Sequence, residues 1–266
     1  TTKNNPNLEP ERKNEYEAGL EMNFWRNRLG IDVSVYSNIV NNSILPVTVS
    51  GATGFRSTVL NIGEMQNQGI ELALNVTPVQ SKAFAWDVNV NWGKNVNEVV
   101  SLFEDQNNLE LSSSQGGISL NATVGEPYGS IWGSNYVFDT NGNPIVIPSN
   151  REKGGVSYAV DGVPQPIGNI QPDWKGGINN TFRFADNAVA LSFLIDIQKG
   201  GSFFSLDTWY GNATGIYENS AGNNREGNPI RDTPEEGGGI YVDGAVTAAT
   251  DAEGALILDE DGLPTS

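Results

Sequence analysis

The sequence has no cysteine and no histidine among its 266 residues. Disulfides, thiolate nucleophiles, zinc sites of the Cys/His type and Ser-His-Asp triads are therefore excluded within these residues. Paired carboxylates are the one common catalytic set that the composition leaves available.

Basic residues are also few, with 15 Lys and Arg against 32 Asp and Glu, for a net charge of −17. A chain this acidic is a poor partner for nucleic acid, because nucleic-acid binding depends on neutralising phosphates with Lys and Arg. The imbalance is greatest at 232–266, which holds nine acidic residues and no basic one. A solvated acidic loop is the favoured interpretation of that segment.

Long apolar runs are missing as well. The longest, AVALSFLIDI at 188–197, contains Ser192 and Asp196 and is shorter than the ~20 residues of a membrane-spanning helix. The opening TTKNNPNLEP has neither the basic region nor the apolar core of a signal peptide. No segment shows a convincing amphipathic-helix pattern, and clusters of Gly, Asn, Asp and Pro separate alternating segments, so the composition predicts an all-β protein.

The sequence does contain strict alternation of apolar and polar residues. In FAWDVNVNWG, residues 84–93, the side chains of Phe84, Trp86, Val88, Val90 and Trp92 alternate with small or polar ones. Successive side chains of a strand point to opposite faces, so this strand has one apolar and one polar face. Similar alternation predicts strands at 15–24, 29–38, 69–78, 174–184 and 187–198, which pair as hairpins at about 12–42, 66–100 and 173–199.

The connections between these strands differ sharply in length. The turns at 25–28, 80–83 and 185–187 are tight, whereas the segments at about 43–65, 101–172 and 200–266 are long. Short turns that alternate with long loops are typical of outer-membrane barrels. The strands 12–24 and 84–99 are also longer than the roughly 5–6 residues of a soluble strand, and aromatic residues beside all three turns fit an interfacial girdle.

Two other classes of protein remain open at this point. A soluble secreted β-sandwich that binds carbohydrate would bury the row from Phe84 to Trp92 beneath a second sheet, whereas a membrane barrel directs it to lipid. A glycoside hydrolase would need two carboxylates in a cleft, for which Glu15, Glu17 and Glu21 lie on one strand face. The pattern shows no cleft, so we expect no enzymatic activity.

Several blocks resemble the SusC/RagA family of TonB-dependent outer-membrane transporters of Bacteroidetes-type bacteria. They are NPNLEPERKNEYEAGLE (5–21), the run 61–102, VGEPYGSIWG (124–133) and IGNIQPDWKGGINNTFRF (167–184). The first block carries the family motif, here Pro10, Glu11, Glu17 and Gly19 after Asn5, Pro6 and Leu8. The segment 151–166 stands where many relatives have an Asp-rich stretch, so the resemblance carries no cation site to that loop.

The resemblance implies a plugged barrel of about 22 strands. We therefore expect residues 1–266 to be a single partial barrel domain from the C-terminal side, without the plug: an antiparallel, open curved sheet with two unpaired edges. It also implies active import of glycan or peptide nutrients across the outer membrane without a cofactor. The implied partners are TonB, through the missing N-terminal part, a SusD-like surface lipoprotein and outer-membrane lipid.

Candidate site residues follow from these expectations. Loop aromatics are candidates for substrate binding, because aromatic planes bury a large area at low entropy cost: Trp132, Trp209 and Tyr210. The lipid-facing candidates are Leu20, Met22, Phe24, Val33, Leu72, Leu74, Trp86, Val88, Val90, Phe193 and Ile195. Two stretches with oxygen-bearing side chains are interpreted as turns in preference to calcium loops, and no metal site is expected. They are 138–146, with Asp139, Asn141 and Asn143, and 251–262, with Asp251, Glu253, Asp259, Glu260 and Asp261.

Overall fold

The computed structural model describes residues 2–103, 106–148, 155–252 and 255–266, without the side chain of residue 48. The strands in these residues are β1 (Thr2–Lys3), β2 (Arg12–Phe24), β3 (Leu29–Asn41), β4 (Ile44–Thr48), β5 (Ser57–Asn61), β6 (Gly63–Gln80), β7 (Phe84–Leu102), β8 (Asn108–Ser114), β9 (Ile118–Thr123), β10 (Ser130–Gly133), β11 (Ile145–Pro148), β12 (Val156–Tyr158), β13 (Gln165–Asn169), β14 (Pro172–Phe184), β15 (Val189–Gly200) and β16 (Val246–Thr247). One α-helix, α1, spans Leu206–Thr214, and short 3-10 turns lie at Gly51–Thr53, Glu218–Ser220 and Pro234–Glu236. In this described part of the chain, no helix has the length and hydrophobicity to cross a membrane.

The chain divides into two compact units. The first comprises 1–113, 119–131 and 168–203, and the second comprises 114–118, 132–167 and 204–266. The long strands β2, β3, β6, β7, β14 and β15 all belong to the first unit.

A six-stranded antiparallel sheet dominates the first unit. Its strand order is β15-β14-β7-β6-β3-β2, so each strand lies beside its neighbour in the chain order of these six. All six predicted strands are present, and all of them keep the long lengths that the alternation indicated. The three hairpins therefore have the tight turns at one end of the sheet and the long connections at the other.

Both edges of this sheet are unpaired within the described residues. The outer strands β2 and β15 each pair with a single neighbour, β3 and β14 respectively. Every residue of β15 is exposed, and so is every residue of β2 except Met22. The predicted open sheet with two free edges is therefore confirmed, and no closed barrel forms in this part of the chain.

The register carries the alternation of each strand across the whole sheet. Trp86 lies opposite Phe182, and Val90 lies opposite both Ile178 and Leu74. Leu74 in turn lies opposite Ile31. Because paired residues share a face, the apolar rows of all six strands join into one apolar face, and the polar rows join on the other. A slip of one residue in any strand would break both faces.

Two of the tight turns have the same unusual backbone. In the first turn, Trp25, Arg26 and Asn27 have φ of 50, 57 and 63°, and in the third, Ala185, Asp186 and Asn187 have 49, 60 and 70°. Three successive left-handed residues reverse the chain within four positions, and asparagine tolerates this conformation better than most residues. A backbone hydrogen bond from Arg28 to Phe24, 3.1 Å long, closes the first turn.

A small core lies in the first unit at the loop end of the long strands. Strands β1, β5 and β4 form a three-stranded sheet, with β1 parallel to β5. Beside it, the end of β7 contributes buried apolar side chains to a cluster that contains Val47, Ile62, Val99, Leu102 and Ala122. Ile62, Val99 and Ala122 are at most 1% exposed, which makes this the best-packed region of the unit.

The second unit has its own small sheet and core. Strand β11 pairs antiparallel with β12 and parallel with β16. Val137, Ile145, Ala159 and Ala248 form the buried cluster behind these strands.

Four short hairpins of the second unit repeat one design, which the sequence analysis did not recognise. Each joins two bridged residues six positions apart, namely Phe138 and Pro144, Asn223 and Pro229, Thr250 and Leu256, and Leu258 and Pro264. The residue after the first bridge is Asp or Asn, and its side chain accepts the backbone N–H four positions later at 2.7–3.1 Å. This asparagine or aspartate turn fixes the backbone of each hairpin through a local side-chain hydrogen bond.

These hairpins confirm the predicted Asn-Gly turn at 141–142 and the predicted Asp-Gly turn at 261–262, whereas the predicted Glu-Gly turn at 253–254 lies outside the described residues. Gly142 has φ of 82° and donates its N–H to the Asp139 carbonyl at 3.0 Å. Glu253 and the start of the segment 151–166 lie outside the described residues. The helix α1 was not predicted, although its caps are visible in the sequence: the side chain of Ser205 accepts the N–H of Thr208, and Gly215 ends the helix with a left-handed φ of 70°.

Candidate functional site

The polar face of the six-stranded sheet is the candidate functional surface. Its rows from β2 to β15 hold carboxylates, amides and hydroxyls at alternate positions, as the register requires. Few of these side chains reach a buried environment, so the face stays wet unless something else covers it.

A chain of asparagines crosses three strands of this face. The Tyr36 hydroxyl donates to Asn95 Oδ1 at 2.9 Å, and the amide of Asn95 donates to Asn67 Oδ1 at 3.3 Å. Asn67 also accepts from Asn97 at 2.9 Å and donates to Asn38 at 3.2 Å. Asn38 is only 7% exposed. Such a connected amide network satisfies its own polar groups and rigidifies the face.

This network reaches the neighbouring core at Tyr128. The Tyr128 backbone N–H donates to Asn97 Oδ1 at 2.8 Å, and its ring packs against the buried cluster that contains Val99. Burial raises the pKa of the Tyr128 phenol, so the hydroxyl stays neutral at physiological pH.

Asp87 anchors a second polar group, nearer the tight turns. Its carboxylate accepts from the Thr77 hydroxyl at 2.8 Å and forms an ion pair with the Arg183 guanidinium. The side chains of Arg183 and Asp87 are 36% and 25% exposed, so the pair is partly shielded from water. Arg183 Nε has no hydrogen-bond partner among the described residues. Removal of Asp87 would therefore leave a half-covered cation unpaired.

Two grooves indent the polar face. The smaller, of about 420 Å³, is lined by residues that include Lys13, Glu15 and Glu17. The larger, of about 530 Å³, includes Asp32, Gly93 and Lys175. Both grooves share three lining residues, which form the partition between them: Tyr36, Glu71 and Asn95.

Tyr36 owes its position to the glycine opposite. Gly69 is its cross-strand partner, and a Cβ on Gly69 would overlap the Tyr36 ring. The ring therefore lies across the place where a side chain would stand, and its hydroxyl is held by Asn95. A glycine inside a strand commonly marks such a close approach.

The charge of this face is uneven. On β2, β3 and β6 it carries Glu15, Glu17, Glu21, Asp32 and Glu71, against one cation, Lys13, which pairs with Glu15 at 2.7 Å. Glu21 and Asp32 lie directly opposite each other. No group of three His, Cys, Asp or Glu side chains that could hold a metal ion is found in the described residues.

The structure brings together two of the three loop aromatics predicted to bind substrate. Trp209 and Tyr210 are neighbours on α1, with ring centroids 4.8 Å apart and exposures of 42% and 46%. The Tyr210 hydroxyl donates to Gln115 Oε1 at 2.6 Å, which holds α1 against the turn after β8. Trp132 lies half-buried on a different element, the strand β10.

None of the predicted lipid-facing residues is buried, and all of them lie on the apolar face. The row from Phe84 to Trp92 is half-exposed and not fully exposed as expected, because side chains of β6 and β14 flank it on the same face. Phe182 stacks on Trp86 at 5.6 Å and on Phe84 at 6.2 Å. The lateral contacts thus come from within one sheet, and the second layer of a sandwich is not seen in the described chain.

The family motif lies at the start of β2. The Glu11 carboxylate accepts the backbone N–H of Ile44 at 3.3 Å, which ties the start of β2 to β4. Glu17 lines the smaller groove, and Gly19 lies opposite Ser34 on the polar face. Pro10 is exposed just before the strand begins.

The Asp87–Arg183 ion pair and the packing of the Tyr36 ring over Gly69 were not predicted from the sequence. For the contact between Tyr36 and Gly69, the available signal was a glycine in the interior of the strand 63–80. No local pattern could have joined residues as distant in the chain as Asp87 and Arg183.

Comparison with known proteins settles the family. The model for the TonB-dependent receptor-like β-barrel matches residues 1–247. The chain belongs to the TonB-dependent receptor family. Since these receptors are outer-membrane β-barrel proteins, the six-stranded sheet is part of a barrel wall in the outer membrane.

Individual relatives agree with this placement. TonB-dependent receptors P3 and P26 of Formosa agariphila are 27% and 28% identical over 206 and 217 residues, which cover 71% and 76% of this chain. The chain spans only 20% and 22% of those relatives. The TonB-dependent receptor SusC of Bacteroides thetaiotaomicron is 29% identical over 149 residues, or 53% of this chain and 15% of SusC.

A solved structure shows the same fold. The RagAB peptide importer in its closed-closed state aligns with a TM-score of 0.61 and 21% identity, over 82% of this chain and 24% of that one. The resemblance to the SusC and RagA proteins that the sequence blocks indicated is thereby confirmed.

Proposed function

We propose that this TonB-dependent receptor sheet forms part of the wall of a conduit that imports nutrients across the outer membrane. The two faces of the sheet carry the proposal. One face joins apolar side chains over six strands, and the other joins carboxylates and hydrogen-bonded amides over the same strands. Lipid on one side and a wet lumen on the other are the pair of environments that such a sheet needs.

The proposed lipid-facing residues follow from this orientation. Leu20, Phe24, Phe193 and Ile195 are exposed on the apolar face of the edge hairpins. The remaining candidates, Met22, Val33, Leu72, Leu74, Trp86, Val88 and Val90, are half-exposed between flanking strands. Exposure of an apolar face of this extent to water would be unfavourable.

The cargo is a polar oligomer, a glycan or a peptide, and two surfaces support contact with it. The grooves beside Tyr36 offer a fixed aromatic ring with carboxylates and amides around it. Trp209 and Tyr210 offer an exposed aromatic pair in the second unit, and Trp132 is the third candidate. Rigid aromatic planes with adaptable polar neighbours suit either class of cargo.

The proposed partners are TonB, which supplies energy through the plug, and a SusD-like lipoprotein at the extracellular mouth. We propose no catalytic role for Glu17 and Glu21, because these carboxylates lie on an exposed strand of an open face. The variant Glu21→Gln, at a residue that lines neither groove, should leave the rate of uptake by the full-length protein unchanged. If a variant stopped the release of hydrolysis products from a glycan or peptide while uptake stayed unchanged, a hydrolase would be favoured.

The absence of cysteine from these residues allows a direct test of orientation. In the full-length protein in bilayers, Val90→Cys and Asn91→Cys place a single new thiol in these 266 residues on adjacent positions of opposite faces. A water-soluble maleimide should label Asn91→Cys rapidly. A fluorophore at Val90→Cys should be quenched by brominated acyl chains. Equal labelling of both positions by the soluble reagent would contradict a lipid-facing row.

Transport itself requires a test in cells. Deletion of the gene should abolish growth on one class of glycan or peptide, and deletion of TonB should have the same effect. Restoration of the full-length gene should restore growth. A deletion strain that grows like its parent on a broad panel of both classes would refute the proposed import.

A further inference from the structure

The turn at Trp25–Arg28, which we call the basic turn, has chemistry that the barrel wall does not explain. Its sequence is Trp-Arg-Asn-Arg, and the Trp25 side chain is 76% exposed. Within the described residues, the guanidinium groups of Arg26 and Arg28 have neither an ion pair nor a hydrogen bond. Two unpaired cations beside an exposed indole stand out in a chain of net charge −17.

A groove begins at the basic turn and continues onto the apolar face. It has a volume of about 600 Å³ and is lined by Trp25, Arg26, Arg28, Leu29, Val76, Thr77 and Pro78. Leu29 and Val76 are cross-strand partners in the apolar rows. The groove is therefore cationic and aromatic at one end and apolar at the other.

The third turn of the same sheet provides an internal comparison. Residues 185–188 have the same backbone with three left-handed residues and the same asparagine at its third position. Yet the sequence there is Ala-Asp-Asn-Ala, with Ala185 in place of Trp25 and Asp186 in place of Arg26. The backbone geometry does not demand the two arginines, so their presence in the basic turn needs another cause.

Membrane chemistry supplies that cause. Tight turns of outer-membrane barrels lie on the periplasmic side, where the leaflet consists of glycerophospholipids. Indole rings favour the headgroup level of a bilayer. Arg guanidinium matches the geometry of phosphate oxygens and binds them with two donors.

We propose that Trp25, Arg26 and Arg28 bind the phosphate of an anionic glycerophospholipid whose acyl chains lie along Leu29 and Val76. The apolar end of the groove accepts the chains, and the exposed indole covers the glycerol region. The site rests on the proposed lipid-facing orientation of the apolar face and on no other part of the proposed function. It is therefore independent of whatever cargo the conduit carries.

The test uses the full-length protein in nanodiscs that contain phosphatidylglycerol or phosphatidylcholine, with retained lipid counted by native mass spectrometry. The double variant Arg26→Asn/Arg28→Gln keeps a residue that tolerates the left-handed conformation at position 26. We expect it to reduce phosphatidylglycerol retention about fivefold for each guanidinium removed. Retention of phosphatidylcholine should change little. The variant Arg26→Lys/Arg28→Lys keeps both charges but loses the paired donors of each guanidinium, so it should retain less phosphatidylglycerol than the parent and more than the double variant.

The matched control is Asp186→Asn in the third turn, which should not lower retention. The triple variant Ala185→Trp/Asp186→Arg/Ala188→Arg rebuilds the basic sequence there and should add one bound phosphatidylglycerol. Glycerol phosphate and inorganic phosphate should not displace the lipid. Parental retention by the double variant, equal loss of both lipids, or full displacement by free phosphate would each overturn the proposal.

Discussion

The two faces of the six-stranded sheet share one set of backbones but are stabilised in different ways. On the polar face, side chains satisfy each other through Asp87, Arg183 and the asparagine network around Asn67. On the apolar face, the side chains contact only lateral neighbours and leave their outer surfaces open. The polar face is thus stabilised by hydrogen bonds among its own side chains, whereas the proposed function assigns the open surface of the apolar face to lipid.

Asn180 shows the condition under which a polar residue occurs in the middle of the apolar face. Asn180 lies on the apolar face, yet it is only 8% exposed, and its amide oxygen accepts from the Trp86 indole at 3.2 Å. A polar group is tolerated there because a neighbour covers it and satisfies it.

The difference between the two faces is tested most directly by introducing the same charge on each face in turn. Val90→Arg should destabilise the full-length protein in lipid vesicles by about 2–4 kcal/mol, as expected for a cation near the bilayer midplane. Asn91→Arg, one residue away on the polar face, should change stability by less than ~0.5 kcal/mol. Urea unfolding followed by tryptophan fluorescence measures both, and equal losses would show that the faces are not distinct.

A smaller loss of stability should follow from a substitution at Gly69, over which the Tyr36 ring lies. Gly69→Ala forces the ring from its place and breaks its hydrogen bond to Asn95, which should cost about 1–3 kcal/mol. Gly93→Ala is the matched control, because its Cβ would meet Glu71 Cγ at an ordinary 3.8 Å. In a Tyr36→Ala background the cost of Gly69→Ala should disappear. If it persists in that double-mutant cycle, the strain lies elsewhere.

Loss of the Asp87–Arg183 ion pair should reduce stability less than a charge on the apolar face does. Asp87→Asn leaves Arg183 partly covered without a counter-charge and should cost about 1–2 kcal/mol. Lys13→Ala breaks the exposed pair with Glu15 and should cost at most ~1 kcal/mol. The same unfolding assay measures both changes. A larger loss for Lys13→Ala would show that partial burial is not what strengthens the first pair.

The smallest expected effect concerns a hairpin of the second unit. Hydrogen bonds from the side chain and backbone of Asn143, and from Asn141, lower the pKa of Asp139. A lowered folded-state pKa stabilises the hairpin above the ordinary carboxyl value of 3.8 and loses that contribution only as pH falls through the lowered value. Protection of the Asn143 amide from hydrogen exchange, corrected for intrinsic rates, should therefore persist at about pH 4 and decline in stronger acid.

The matched variant is Asp139→Asn, which keeps an acceptor at this position but cannot titrate. Its protection should be independent of pH over the same range. Loss of protection in the parent protein well above pH 4 would contradict the assigned cause.

The sequence alone predicted the six long strands and their pairing within three hairpins, because long alternating segments joined by tight turns form antiparallel hairpins. It also indicated the open edges, through the resemblance to a larger barrel. It did not predict how Asp87 meets Arg183, or how Tyr36 lies on Gly69, since both contacts depend on register between strands. The helix α1 was missed because its nine residues are too few for a clear apolar stripe.

The repeated hairpins of the second unit have a consequence for variation in loop length. The two bridged residues of each hairpin lie one strand spacing apart, roughly 5 Å, so excision of a whole copy brings together chain ends that are already adjacent. Each copy is seven residues long and is held by its own turn side chain. Gain or loss of such modules would reshape the surface in fixed increments while the long strands keep their alignment.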